Sequence, residues 1–352
     1  MSRLNNTPAP GDGKGSAFLR VCAGEVVPRR PVWLMRQAGR ILQPYRDLKK
    51  QAGSLSTLFN TPELAAQVTL MPVEILGVDA AILFADIFTP VEPMGCELVF
   101  QPGPVLASPV RTRSDVGRLR TIDPEEDLPH VRREIELVRA GLPHGVPLIG
   151  FAGAPVTLAT YLAEGSGARE FTHFRRLLHA DPDTAGLLLT KLADVAITYL
   201  EMQVDAGVDA VQLFDTWIGQ LSKAQFESMA LPGLERIFAQ LSRLQVPTIY
   251  FANDSAHLLP LLPRTGADVF SIDWRTDMRL ARDLFGPSRP LQGNLDPAAL
   301  FAPREQVVTA TRELLDMTRG TPHIFNLGHG VHPETPIDSV RAMIDTVHEY
   351  AG

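Results

Sequence analysis

The stretch Pro31-Val-Trp-Leu-Met-Arg-Gln-Ala-Gly-Arg-Ile-Leu-Gln-Pro-Tyr-Arg46 decides how the rest of the chain is read. A short apolar run with strand character, Val32–Met35, breaks off into Arg36-Gln37-Ala38-Gly39-Arg40, two guanidiniums around a glycine. Arginine is always charged, and its planar fork of donors matches a carboxylate or phosphate. Gly39 allows a sharp backbone turn that lets both forks face one anion. Standing alone, the segment is equally a solvated turn carrying two surface arginines. Its position in a repeated pattern separates the two readings.

Working outward, seven further apolar runs follow: Ala80–Ala85, Pro147–Phe151, Ala210–Phe214, Thr248–Phe251, Val269–Ile272, Pro290–Gln292 and His323–Asn326. Segments of helical period separate most of them. Thr61-Pro-Glu-Leu offers an N-cap threonine with proline at N1, and Pro182–Val204 and Ala302–Thr318 are long and amphipathic. Short buried strands alternating with helices predict a parallel α/β protein, and eight of them predict a single-domain (β/α)8 TIM barrel. The long gap between the second and third runs predicts an elaborated connection, with Glu97-Leu-Val-Phe as a small extra hairpin strand.

The runs end on polar residues: Arg36, Asp86, Asp215-Thr216, Asn253-Asp254, Asp273, Asn294 and Asn326, with Gly328-His329-Gly330 after the last. Active sites of barrels are built on that C-terminal face from several strands, so the shared register predicts a site there. The competing architecture, a doubly wound sheet plus a second domain, lacks its signature, since no G-x-G-x-x-G follows an early strand.

Composition bounds the function. With 352 residues, 45% hydrophobic and 21% charged, the chain is globular and can bury a sizeable core. A net charge of −7 disfavours a general nucleic-acid binder but permits a local arginine cluster in one cleft. Two cysteines, Cys22 and Cys96, make neither a disulfide framework nor a four-cysteine zinc site, and suit a reducing cytoplasm. No apolar run is long enough to cross a membrane. Residues 1–17, rich in Pro, Gly and Asn, are expected to be a disordered leader without a secretory signal, and residues 18–352 the barrel.

Several residues could carry chemistry. Asp86 closes a hydrophobic run, where a carboxylate is costly to keep charged without a partner. It is either a local cap or an acceptor that stabilises developing positive charge. Tyr161 is either a core aromatic or a hydrogen-bond donor to a carboxylate. The nearby Gly165-Ser-Gly167 lacks the lysine and spacing of a phosphate loop. Thr216 caps a strand or lines the site. His329, held between two glycines, is poorly suited to a core; paired with His332 it lacks a third ligand for a catalytic zinc.

Together the segments PVWLMRQAGR, FADI, FAGAPVTLATYLAEG, QLFDTW, QGNLDP and NLGHGVHPETP, in that order, resemble the uroporphyrinogen decarboxylase family over essentially the whole chain after about residue 18. The resemblance implies a homodimeric, cofactor-free (β/α)8 enzyme of haem and chlorophyll biosynthesis. It would convert uroporphyrinogen III to coproporphyrinogen III by releasing four acetate carboxyls as CO2. Residue by residue, it implies substrate binding by Arg36, Gln37, Ala38, Gly39 and Arg40, a catalytic pyrrole-binding carboxylate at Asp86, and further contacts from Tyr161, Thr216 and His329. Two departures concern packing: Arg40-Ile-Leu-Gln-Pro-Tyr-Arg46 stands for the family's RYLPEYR, and Val156 replaces a usual tryptophan.

Two rivals remain. A corrinoid-linked methyltransferase on the same barrel would use a zinc site of the His-x-Cys type, and no His-x-Cys occurs. A non-catalytic tetrapyrrole-binding protein would bind without releasing CO2.

Overall fold

Seven of the eight expected runs are strands; the first is not. The computed structural model describes residues 15–39, 41–100, 104–166 and 170–350, so Arg40 and most of the expected leader lie outside the described residues. Strands β1 (Ala81–Ile82), β4 (Leu148–Gly153), β5 (Ala210–Asp215), β6 (Thr248–Ala252), β7 (Val269–Ile272), β8 (Leu291–Leu295) and β9 (His323–Leu327) form one parallel sheet in sequence order. The expected hairpin is present as β2 (Leu98–Phe100) and β3 (Pro104–Leu106), paired antiparallel.

Most of the large sheet's strand residues are buried, which is why the runs read as continuous apolar stretches rather than alternating ones. Helices cover the outside. Pro62–Leu76 begins after Thr61 as expected, and the two long amphipathic segments appear as Pro182–Ala206 and Arg304–Met317. The crossover from β6 to β7 is instead a 3-10 segment, Ala256–Thr265. Pro260 and Pro263 within it remove amide donors that an α-helix needs.

Side chains inside the sheet show that it curls. Gln292 on β8 donates to Gln212 on β5 at 3.0 Å and to Ser271 on β7 at 2.9 Å, and all three are buried. β5 and β8 are not neighbours in the strand order, so their side chains meet across a concave interior. Trp33 joins this network, its indole N–H donating to Gln292 Oε1 at 2.9 Å.

Val32–Met35 is therefore inside the fold yet makes only one isolated parallel bridge, Val32 to Phe325. Trp33 N–H donates to Phe325 O, and side chains satisfy the other three amides. The amide of Val32 donates to Asp79 Oδ2, that of Leu34 to Gln37 Oε1 and that of Met35 to Asn326 Oδ1. The two family departures are absorbed by packing: Ile41 and Val156 are buried, and Pro44 falls in the first turn of the helix Gln43–Ala52, where no amide donor is required.

Candidate active site

Asp86, Thr216 and His329 leave the sheet just past the carboxyl ends of β1, β5 and β9. Asp86 is held in a tight local turn. Its Oδ1 accepts from Phe88 N–H at 3.0 Å, and its own N–H donates to Thr89 Oγ1 at 3.2 Å. Among the described residues nothing donates to Oδ2. Burial raises the pKa of Asp86 above the ordinary carboxylate range; the Phe88 amide and the Arg36 charge hold it back, and Glu92 pushes it further up.

A second buried carboxyl sets the aim of this strand end. Leu83 N–H still pairs with Ile149 O across the sheet, but Phe84 N–H turns to Glu134 Oε1 at 3.1 Å and Thr69 Oγ1 at 3.0 Å. Glu134 is almost fully buried on the helix Pro129–Gly141, and burial pushes its pKa up to about 8. The folded protein thus keeps its proton where an unfolded carboxyl has lost it. Stability should therefore fall as pH rises from the ordinary glutamate range to about 8, then level off. Glu134→Gln is expected to flatten that slope and raise the melting temperature at pH 8, as a pH series of thermal melts would show; an unchanged slope would contradict it.

Arg36 presents the turn's only described side chain directed at solvent. It is exposed, and it adopts a left-handed conformation (φ 63°), which is uncommon outside glycine. The sharp turn was expected at Gly39; instead Arg36 takes the left-handed φ, and Gly39 is required because a Cβ there would lie 2.6 Å from the Arg36 carbonyl oxygen. Among the described residues no carboxylate pairs with the Arg36 guanidinium. Its charge instead bears on Asp86, Tyr161 and His329 together. Gln37 is fully buried, its amide bridging Leu34 N–H (3.0 Å) and Ala80 O (3.0 Å), so it braces the turn against the segment entering β1. Ala38 is also buried.

Tyr161, on the helix Pro155–Glu164, belongs to a row of rings: Phe88 at 5.3 Å, Trp217 at 6.0 Å, and Phe171 at 4.5 Å beyond Trp217. Burial raises the pKa of its phenol, which keeps it a donor. The indole nitrogen of Trp217 lies by the phenol and has no hydrogen bond of normal geometry among the described residues. Thr216 is partly exposed, with its carbonyl accepting from Asn253 Nδ2 at 3.0 Å. Asp215 beside it is fully buried and spent internally: Thr157 Oγ1 donates to it at 2.7 Å and Tyr250 Oη at 2.9 Å. Thr157 Oγ1 also accepts from Trp217 N–H at 3.1 Å, so Asp215 fixes the loop that carries Thr216.

The two glycines around His329 have a steric cause. A Cβ on Gly328 would overlap the backbone of Trp274, and one on Gly330 would overlap the aliphatic part of Arg36. His329 is set between these two contacts, its ring 6.1 Å from that of Phe251. Burial, then Arg36, Arg275 and His332, lower its pKa to about 4, so it is neutral near pH 7. The sequence pattern did not single out Arg275; an Asp-Trp-Arg turn past a strand looks like any solvated loop until the chain after β9 is seen lying against it.

A cavity of about 320 Å³ is lined by Asp86 together with Phe59, Glu92 and His130, and Arg36, Tyr161, Thr216 and His329 are not part of its lining. Among the described residues no three His, Cys, Asp or Glu side chains gather as a metal site. Both cysteines are buried, and burial pushes the Cys96 thiol to about 11.

The parallel α/β fold carries Asp86 and His329 past its strand ends and Tyr161 on a helix, all within the field of Arg36, on the face where enzymes of this architecture build their sites. The family profile of uroporphyrinogen decarboxylase matches residues 14–350. The chain belongs to the uroporphyrinogen decarboxylase family, and its curated relatives place it among the carboxy-lyases. The uroporphyrinogen decarboxylase of Trichlorobacter lovleyi is 47% identical over 332 residues, covering 94% of this chain and 97% of that protein. That of Geobacter metallireducens is likewise 47% identical over 332 residues, with 94% and 97% covered. A solved methyltransferase from Methanosarcina mazei superimposes with a TM-score of 0.81 over 96% of this chain and 98% of its own. At 20% identity it shares the fold alone.

Proposed function

We propose that the protein is a uroporphyrinogen decarboxylase, converting uroporphyrinogen III to coproporphyrinogen III with loss of four CO2. The observation that carries this reading is the partly buried Asp86 carboxylate, one oxygen of which has no donor among the described residues, in the field of the Arg36 guanidinium, which no described carboxylate pairs. Each step is R–CH2–COO⁻ + H⁺ → R–CH3 + CO2. A proton added to the pyrrole makes the ring an electron sink, and the pair from the breaking C–CO2 bond flows into it. The methylene carbon then takes up a proton as the ring gives one back. Asp86 Oδ2 accepts from the pyrrole N–H groups and stabilises the cationic ring, which a fixed carboxylate in a water-poor site does far better than solvent. Arg36 and Arg40 orient the peripheral carboxylates, each charge-assisted hydrogen bond contributing roughly 1.5–3 kcal/mol. Gln37, Ala38 and Gly39 shape the turn that holds them. Tyr161, Thr216 and neutral His329 supply further donors, and the rings around Tyr161 give the macrocycle an apolar wall.

The same reading takes Val32–Met35 as the eighth strand of a closed barrel, in one domain spanning residues 18–352. Three backbone bonds support it: Phe325 N–H to Pro31 O, Trp33 N–H to Phe325 O and Asp79 N–H to Val32 O. We also take the protein as a homodimer in the cytoplasm; no described helix is long and apolar enough to cross a membrane. Leu280 and Leu284, one turn apart and both nearly half exposed on the helix Met278–Phe285, give an apolar face for a second copy. Sedimentation at micromolar concentration should find two chains per particle, and a monomer would rule the dimer out.

Anaerobic incubation with uroporphyrinogen III, then oxidation and separation by carboxyl number, tests the activity. The four-carboxyl product is expected; binding without loss of carboxyls would favour the non-catalytic reading.

A further inference from the structure

The strand-end face carries a further cation that the family motifs do not include. Arg275 lies just past β7, exposed, with its guanidinium 4.5 Å over the ring of Trp274. Its backbone is fixed by Asp273, which is almost fully buried and accepts from Arg275 N–H at 2.9 Å. The guanidinium lies 3.9 Å from the same carboxylate oxygen, too far for a hydrogen bond, and no described residue accepts a hydrogen bond from the Arg275 side chain. Some surface arginines are closely paired, as Arg20 is with Glu25 at 2.8 Å and Arg236 with Asp194 at 2.5 Å, and others such as Arg175 and Arg312 have no ion pair among the described residues, so it is the strand-end position that sets Arg275 apart.

The loop after β9 places this cation. Gly328 lies against the Trp274 backbone and Gly330 against the Arg36 side chain, with His329 between. Gly328 and Gly330 thereby set His329 between the Trp274-Arg275 turn and Arg36, and the charges of both arginines bear on it. An uncharged ring there separates the cations, so each remains free to take an anion of its own.

We infer that Arg275, backed by the face of Trp274, is a carboxylate subsite on the other side of His329 from Arg36, binding a second peripheral carboxylate of the macrocycle. The indole holds the guanidinium plane in place, so less side-chain freedom is lost on forming a two-point contact. Two cations flanking His329 would grip a polycarboxylate at two separated points of its rim, fixing which pyrrole lies over Asp86. This inference rests on the proposed substrate class.

The test uses the full chain and the variants Arg275→Ala and Arg275→Lys. Affinity is read by fluorescence titration with uroporphyrin, the oxidised octacarboxylate, and turnover by anaerobic kinetics with uroporphyrinogen III. Arg275→Ala is expected to raise both Kd and KM at least about tenfold, with kcat changed much less and the melting temperature held, as suits an exposed side chain. Arg275→Lys, which keeps the charge but not the fork, should recover part of the loss. Equal Kd for wild type and Arg275→Ala, or a fall in kcat at unchanged Kd, would overturn the subsite. A wild type that binds uroporphyrin but releases no CO2 from uroporphyrinogen would sink the proposed activity instead, and the ratio of Kd values would still decide Arg275.

Discussion

Asp86→Asn is expected to lower kcat by about 10²–10³-fold while giving a protein that melts no lower than wild type. The loss in rate follows from removing the one fixed negative charge aimed at the protonated pyrrole. The unchanged or improved stability follows from the raised pKa of Asp86. The folded site favours the protonated carboxyl, whereas the unfolded chain releases its proton at lower pH. The ionised group therefore costs stability at neutral pH, and a neutral asparagine, which still accepts from Phe88 N–H, does not incur that cost. Wild-type activity should fall as pH drops through this raised pKa, so the acid limb of kcat lies above the usual carboxylate range. Residual activity of Asp86→Asn should lack that limb. Kinetics across pH 4–8 together with melts of both proteins would show all three effects; a full-rate Asp86→Asn would refute the mechanism.

Arg36→Ala should raise KM by one to two decades, as expected for losing charge-assisted contacts of roughly 1.5–3 kcal/mol. Its second signature is electrostatic. Arg36 holds the Asp86 pKa down and helps hold that of His329 at about 4. Without it the acid limb of kcat should move to higher pH, and the His329 ring should titrate closer to the ordinary histidine value in NMR. Arg36→Lys, which retains charge without the fork, should leave both pKa values near wild type yet recover only part of KM. If Arg36→Ala left KM and both titrations unchanged, the turn would be surface decoration.

Most of the sheet was legible because its strands are buried on both faces and so appear as unbroken apolar runs. The first run misled on one point. Val32–Met35 has a strand's composition, but Asp79, Gln37 and Asn326 satisfy three of its four amides with side chains, and a residue string does not reveal which acceptor an amide will find. That Asp86, Thr216 and His329 lie on one face was legible, since polar groups at strand ends share it, whereas Tyr161 reaches that neighbourhood from the helix Pro155–Glu164. Gln37 and Asp215 belong to the same segments yet face inward, where they brace Arg36 and Thr216. Arg275 stayed hidden because its importance comes from Gly328 lying against Trp274, a contact between segments far apart in sequence.

The central claim, that Asp86 at the strand-end face drives decarboxylation of a tetrapyrrole, is tested most directly in one paired experiment. Wild type and Asp86→Asn are incubated anaerobically with uroporphyrinogen III, and the porphyrins are separated by carboxyl number, with thermal melts confirming that both are folded. The expected result is four-carboxyl product from wild type and unconverted eight-carboxyl material from the folded variant. Four-carboxyl product from folded Asp86→Asn at the wild-type rate, or none from wild type, would contradict it.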